Sequence, residues 1–105
     1  MRTIIKTLVA LAMMQQIAVA DIDPARQAEL LYLLKHDCGS CHGMTRKGGL
    51  GPALLPANLH DRPPQLMVNT VLDGRPGTPM PPWRGLLTEQ EVRWLVEMMR
   101  AGEGL

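Results

Sequence analysis

Apolar residues recur at helical spacing in three stretches of the chain, and no stretch alternates apolar and polar residues as a strand would. The first stretch follows Asp23, a good N-cap acceptor, and Pro24, which suits the first turn of a helix. It predicts a helix over residues 24 to 38. The second stretch predicts a shorter helix over residues 64 to 73, which Gly74 ends.

The third stretch predicts the last helix, over residues 88 to 101. Thr88 followed by Glu91 is a capping box, and Gly102 marks the end of the helix. One apolar stripe runs along it and is formed by Val92, Leu95, Val96 and Met99. Helices without strands or internal repeats predict an all-α domain.

Two segments rich in proline and glycine separate these helices. Residues 43 to 64 contain so many helix-breaking residues that a long irregular segment is predicted. A loop of this length is unusual in a compact domain unless it wraps around something. The second segment, residues 74 to 83, carries one methionine, Met80, between prolines.

The N-terminal residues have the order of a secretory signal peptide. Arg2 and Lys6 precede an apolar run over residues 8 to 14, and the small residues Ala18 and Ala20 follow. This pattern predicts export to the periplasm with cleavage after Ala20. The alternative is a retained membrane anchor, but the apolar run is far shorter than the roughly 20 residues of a spanning helix.

The domain organisation predicted is a cleaved signal peptide, residues 1–20, and one small domain, residues 21–105. The 85 residues of that domain include no Phe, one Tyr and two Trp, so a disulfide, a metal or a cofactor is expected to stabilise it. Cleavage removes Arg2 and Lys6 and leaves 9 basic against 10 acidic residues. The charge therefore favours neither nucleic acid nor an anionic membrane as a partner. We expect a monomer without stable membrane insertion.

The only two cysteines lie in the string Cys38-Gly39-Ser40-Cys41-His42, which is the attachment motif for c-type haem. One helical turn presents both thiols to the two vinyl groups along a porphyrin edge, and the next residue directs its imidazole at the iron. The motif therefore predicts one haem c, bonded through Cys38 and Cys41, with His42 as an axial ligand of the metal.

Two other readings of the cysteine pair are less well supported. A structural zinc site needs four ligands, and beyond the motif only His36 and His60 offer imidazole donors, at awkward spacing. A thioredoxin-like dithiol belongs in a strand-helix context, and the sequence predicts no strands.

Met80 is the best candidate for the second axial ligand. The neighbouring Pro79 and Pro81 stiffen the backbone and remove N–H groups that would need partners beside an apolar porphyrin. A thioether suits iron that cycles between Fe(II) and Fe(III), and it raises the reduction potential. His60 is the alternative ligand. The remaining methionines are expected to have structural roles or unsuitable positions: Met67 and Met99 lie in the core, Met98 lies beside that core, and Met44 is too close to His42 to reach the other face of the ring.

The motif, the run Gly51-Pro52-Ala53-Leu54 and the run Pro79-Met80-Pro81-Pro82-Trp83 resemble the class I cytochromes c over essentially the whole exported chain. This resemblance implies three main helices and irregular loops wrapped around one covalently attached haem. It also implies that the terminal helices cross near the haem. The carbonyl of Pro52 is expected to accept a hydrogen bond from His42 Nδ1–H and so to orient the imidazole.

Residues 37 to 45 and 72 to 83 more narrowly resemble the small periplasmic cytochromes of the c55X type. These are encoded with the cytochrome cd1 nitrite reductase of denitrifying bacteria. The resemblance implies an electron carrier rather than an enzyme, with that reductase as the redox partner. Two alternatives remain: an accessory role in maturation of the d1 haem, or an open iron site that binds nitric oxide or another small ligand.

Outer-sphere electron transfer through an exposed haem edge is the expected mechanism, since six-coordinate iron rearranges little between oxidation states. Four basic residues suggest a positive rim that would orient an acidic partner: Arg46, Lys47, Arg75 and Arg84. The alternative is that these charges belong to an ordinary solvated surface.

Overall fold

The computed structural model describes residues 21–105, so the predicted signal peptide, residues 1–20, lies outside the described residues. Within the described range the regular structure is helical and no strand is present. No helix in this part of the chain is long and apolar enough to cross a membrane. The helices are α1 (Pro24–Leu33), a π-helical turn (Leu34–Cys38), α2 (Gly39–His42), α3 (Pro56–Leu59), α4 (Pro64–Asp73) and α5 (Glu89–Ala101).

The first helix runs without interruption from α1 through the π-helical turn into α2. It begins at Pro24 as predicted, but the side chain of Asp23 makes no capping hydrogen bond. It also ends four residues later than predicted, at His42. The π-helical turn ends at Cys38, the first cysteine of the motif. Such turns often occur at functional sites. The continuous helix places both thiols and the imidazole at its C-terminal end.

The core is formed where α5 packs against α4 and α1, so the terminal helices are in contact as predicted. The capping box is present: Glu91 N–H donates to Thr88 Oγ1 at 3.1 Å, and Thr88 N–H donates to Glu91 Oε1 at 3.0 Å. Glu91 also forms an ion pair with Arg26 of α1, which lowers the pKa of the Glu91 carboxyl. The buried core side chains are Leu30, Leu34, Leu59, Met67, Val68, Leu72, Leu87, Val92, Leu95, Val96 and Met99.

The predicted irregular segment, residues 43 to 64, contains one helical turn that the sequence pattern did not indicate, α3. Pro56 occupies its first position, where the fixed backbone angle of proline favours helix and its missing N–H needs no partner. Leu59 is 4% exposed and carries this turn onto the core. The segment is therefore anchored near its middle rather than free over its whole length.

Candidate functional site

The motif side chains gather at one end of a cavity of about 610 Å³. Cys38 belongs to the π-helical turn, whereas Cys41 and His42 belong to α2, and all three line the cavity. Ser40 Oγ donates to the backbone carbonyl of Asp37 at 2.6 Å, which ties the motif to the preceding turn. The helical backbone therefore places the two thiols and the imidazole on the same cavity.

A glycine-rich loop folds back on the motif and orients His42. Gly48 N–H donates to the carbonyl of His42 at 2.8 Å, and Gly51 N–H donates to the carbonyl of Cys41 at 2.8 Å. These bonds bring the next carbonyl, that of Pro52, to 2.7 Å from His42 Nδ1. Since a carbonyl oxygen only accepts, Nδ1 carries the proton and Nε2 keeps its lone pair for a metal.

Gly51 has no room for a side chain, because a Cβ there would lie 2.6 Å from His42 Cε1. We expect Gly51→Ala to displace the imidazole and to lower the free energy of unfolding of the haem-loaded protein by about 1–3 kcal/mol, the usual cost of overpacking. Chemical denaturation followed by absorbance measures this loss. Gly85→Ala is the matched control, since nothing lies within 4 Å of a Cβ at that position. Equal stability of the two variants would contradict the expectation.

Met80 lies on a loop that is fastened to the end of α4. The carbonyl of Met80 accepts from Arg75 N–H at 3.2 Å, and its own N–H donates to Thr78 Oγ1 at 3.3 Å. Gly74 starts the loop with a φ of +68°, and a Cβ there would lie 2.7 Å from the Met80 carbonyl. Trp83 N–H closes the loop by donating to the carbonyl of Leu72 at 3.1 Å. The position of Met80 is therefore set by backbone contacts on both sides of it.

The cavity joins the two halves of the site, because His42 and Met80 both line it. Its walls come from segments that are far apart in the sequence, and most of the lining is apolar. Several of these side chains were not predicted from the sequence to belong to the site. They include Leu54, Leu59, Arg62, Leu66, Thr70, Val71 and Trp83.

Comparison with known proteins agrees with this geometry. A family model described as cytochrome c oxidase, cbb3-type, subunit III, matches residues 24–99. Cytochrome c55X of Pseudomonas aeruginosa is 57% identical over 81 residues, which are 77% of this chain and 68% of that protein. The chain belongs to the cytochrome c55X family. The relatives in this family are small c-type cytochromes, which are electron carriers rather than enzymes.

Two further relatives differ in how much of their own length this chain covers. The solved structure of a c-type cytochrome NirC superposes with a TM-score of 0.77 and 54% identity, over 79% of this chain and 98% of that chain. The dihydro-haem d1 dehydrogenase of Pseudomonas aeruginosa is 33% identical over an alignment 90 positions long, which covers 71% of this chain but 18% of that protein. The likeness to the dehydrogenase is therefore confined to one segment of a much larger protein.

The residues that line the cavity fit a c-type haem. The cavity volume of about 610 Å³ lies within the range of roughly 300–1,000 Å³ that small-molecule and cofactor sites occupy. Two thiols, one imidazole nitrogen and one thioether sulfur are the donor set that a covalently attached, His/Met-ligated haem requires. The described residues bring together no group of three His, Cys, Asp or Glu side chains that could hold a metal ion, which gives the zinc reading no support.

The dithiol reading is also disfavoured by the surroundings of Cys38. Burial raises the pKa of the Cys38 thiol to about 11, and the charge of Asp37 adds to this shift. Reactive dithiols instead have thiol pKa values lowered by positive surroundings. The Cys38 thiol is therefore protonated at neutral pH.

The alternative axial ligands are placed differently from Met80. His60 does not line the cavity, and its Nδ1 lies 3.0 Å from the carbonyl of Ala57. Met67 and Met99 reach the cavity wall, but both are buried members of the helical core, as expected. Met44 is 47% exposed and is not part of the lining.

Of the four residues of the predicted positive rim, only Arg75 lines the cavity. Arg46 is 3% exposed, because its guanidinium turns inward towards the C-terminal segment. Arg84 is exposed but pairs with Asp73, with Arg84 Nη2 at 2.8 Å from Asp73 Oδ1. Lys47 is exposed but does not line the cavity. Arg75 does line the cavity mouth, where Arg62 joins it.

Proposed function

We propose that this chain is a periplasmic one-electron carrier in which one haem c is bonded to Cys38 and Cys41 and ligated by His42 and Met80. The single observation that supports this assignment is the cavity that the attachment motif shares with Met80. When bound, the haem supplies an iron that cycles between two oxidation states. The protein excludes water, fixes the tautomer of His42 through Pro52 and holds the thioether through the Met80 loop.

The periplasmic location rests on the N-terminal sequence, whose charged, apolar and small-residue order is that of a signal peptide cleaved after Ala20. The similarity to cytochromes c55X supports this location, because haem is attached to this motif on exported chains. The domain that works in the periplasm is then residues 21–105.

The proposed redox partner is a cytochrome cd1 nitrite reductase, which would receive the electron at the mouth of the cavity. Exposed apolar side chains border this mouth: Leu50 is 76% exposed and Leu66 is 54% exposed. The exposed guanidinium groups of Arg62 and Arg75 line the same mouth. An apolar patch with positive charge beside it fits an apolar acceptor patch that is bordered by carboxylates.

We expect the reduced protein to be oxidised by purified cytochrome cd1 nitrite reductase in a second-order reaction that slows as salt is added. The double variant Arg62→Gln, Arg75→Gln should react about tenfold more slowly at low ionic strength, because it lacks the steering charges. Stopped-flow absorbance of the haem measures both rates.

Lys47→Gln is the matched control for this experiment, since it removes an exposed charge that does not line the cavity. Its rate should equal that of the parent protein. If the rate constant does not depend on ionic strength and the double variant reacts as fast as the parent, the proposed docking surface is wrong. The absence of any electron transfer to the reductase would remove the proposed partner.

A role in maturation of the d1 haem is the second candidate, supported by the similarity to one segment of dihydro-haem d1 dehydrogenase. Deleting the gene separates the two functions. If the protein only delivers electrons, the reductase purified from the deletion strain carries its full d1 haem but is supplied with electrons more slowly. If the protein acts in maturation, that reductase lacks d1 haem.

A further inference from the structure

Arg46 is a buried charged side chain directly after the attachment motif, and 3% of it is exposed. Its Nη2 group donates to the backbone carbonyl of Glu103. Its Nη1 group is buried and has no hydrogen-bond partner among the described residues. Burying a cation without a full set of hydrogen bonds costs free energy.

No carboxylate neutralises this charge within the described part of the chain. The ion pairs there involve Arg26, Arg84 and Arg93, and Arg46 takes part in none of them. The partner of Arg46 is a backbone carbonyl, which is a dipole without net charge. A guanidinium does not lose its proton in proteins, so the site keeps a full positive charge at any working pH.

The backbone holds Arg46 beside the haem-attachment segment. Its N–H donates to the carbonyl of Gly43 at 2.9 Å, and its carbonyl accepts from Leu54 N–H at 2.9 Å. It is also a non-glycine residue with positive φ, at +59°, so the turn is fixed at some conformational cost. The Arg46 charge favours the thiolate of Cys38 and so opposes the burial that raises the pKa of that thiol.

We propose that Arg46 is an electrostatic positioning residue that raises the reduction potential of the haem. The proposal rests on the proposed function, because it assumes the haem bonded at Cys38. Reduction adds one electron to the iron, and a fixed positive charge beside the attachment segment stabilises the reduced state. Water and salt screen a buried charge much less than an exposed one. The effect of Arg46 should therefore exceed that of the exposed cation beside it.

Spectroelectrochemical titration of three haem-loaded variants tests this. Arg46→Gln keeps a side-chain donor for the Glu103 carbonyl but removes the charge, and it should lower the midpoint potential. Lys47→Gln removes one exposed charge from the neighbouring position and should leave the potential nearly unchanged. Arg46→Lys keeps the charge and should restore most of the potential.

The absorption spectrum of each variant is recorded at the same time, so that a change of axial ligand is distinguished from a change of field. A deletion of residues 103 to 105 is the second test, and it applies even where Arg46→Gln yields no holoprotein. This deletion uncovers the Arg46 guanidinium, and it should lower the potential and make it depend on ionic strength. Equal potentials for Arg46→Gln and Lys47→Gln, or a salt-independent, parent-like potential for the deletion variant, would overturn the proposal. Neither outcome contradicts the proposed function, which fails only if the parent protein lacks His/Met-ligated haem or transfers no electrons.

Discussion

Replacing Met80 with alanine should lower the reduction potential of the haem-loaded protein by roughly a few tenths of a volt, since axial ligands set haem potentials over about 0.8 V. The thioether is a soft donor that favours Fe(II), and its removal leaves water or an open position on that side of the iron. The oxidised protein should then change from low-spin to high-spin. Potentiometric titration and low-temperature spectra of the oxidised protein measure the two effects.

Met44→Ala is the control for this variant, because Met44 is 47% exposed and does not line the cavity. Its potential and spin state should match those of the parent. A parent protein that is already high-spin and binds nitric oxide as readily as Met80→Ala would refute Met80 as the ligand. It would favour the open-site reading instead.

The elements that were predicted well are those with complete local signals. Helix α4 runs from Pro64 to Asp73 as predicted, because Pro64 suits its first turn and Gly74 follows its last residue. The predicted stripe of α5 is buried throughout, and Gly102 ends the helix in the left-handed conformation. In both helices the residues that decide the structure lie within a few positions of one another.

The features that were not predicted depend on contacts between distant segments. The sequence places Arg46 in a polar, glycine-rich stretch, which ordinarily means a solvated side chain. Its burial depends on Glu103, which is 57 residues away and approaches only when the C-terminal segment packs beside the motif. Arg84 is exposed, but Asp73 at the end of α4 lies close enough to pair with it. Neither the burial of Arg46 nor the pairing of Arg84 can be inferred from the charge pattern of the sequence alone.

In the candidate site, too, features with local sequence signals were predicted and features that depend on distant contacts were not. That the two cysteines, His42 and Met80 lie on one cavity agrees with the prediction from the sequence, because a short motif or a proline-bounded loop carries each of them. The glycine loop could be related to His42 only through resemblance to a family, and the structure adds the backbone bonds that produce this contact. The helical part of the apolar wall comes from α3, α4 and α5, and the side chains that form it have no motif of their own. Which core side chains face a cofactor is therefore a property of the packing.

The double variant Cys38→Ser, Cys41→Ser should lose most of its helix and show no cooperative thermal transition. Without a bonded haem, the loop of residues 43 to 64 and the Met80 loop face an apolar cavity of about 610 Å³. The cavity is open at its mouth, so without haem its largely apolar lining is exposed to water and the burial that haem would provide is lost. A small domain has a total stability of only about 5–15 kcal/mol, so this loss is expected to prevent cooperative folding.

Circular dichroism of the variant and the parent, exported through the same maturation system, measures the loss. Ser40→Ala is the matched control, because it alters the motif by one hydroxyl, which donates to Asp37, and keeps both thiols. It should retain haem and melt cooperatively. A cooperative melt of the double variant near that of the parent would mean that the interface of α1, α4 and α5 folds by itself. The haem would then be a ligand of a preformed domain rather than a part of its core.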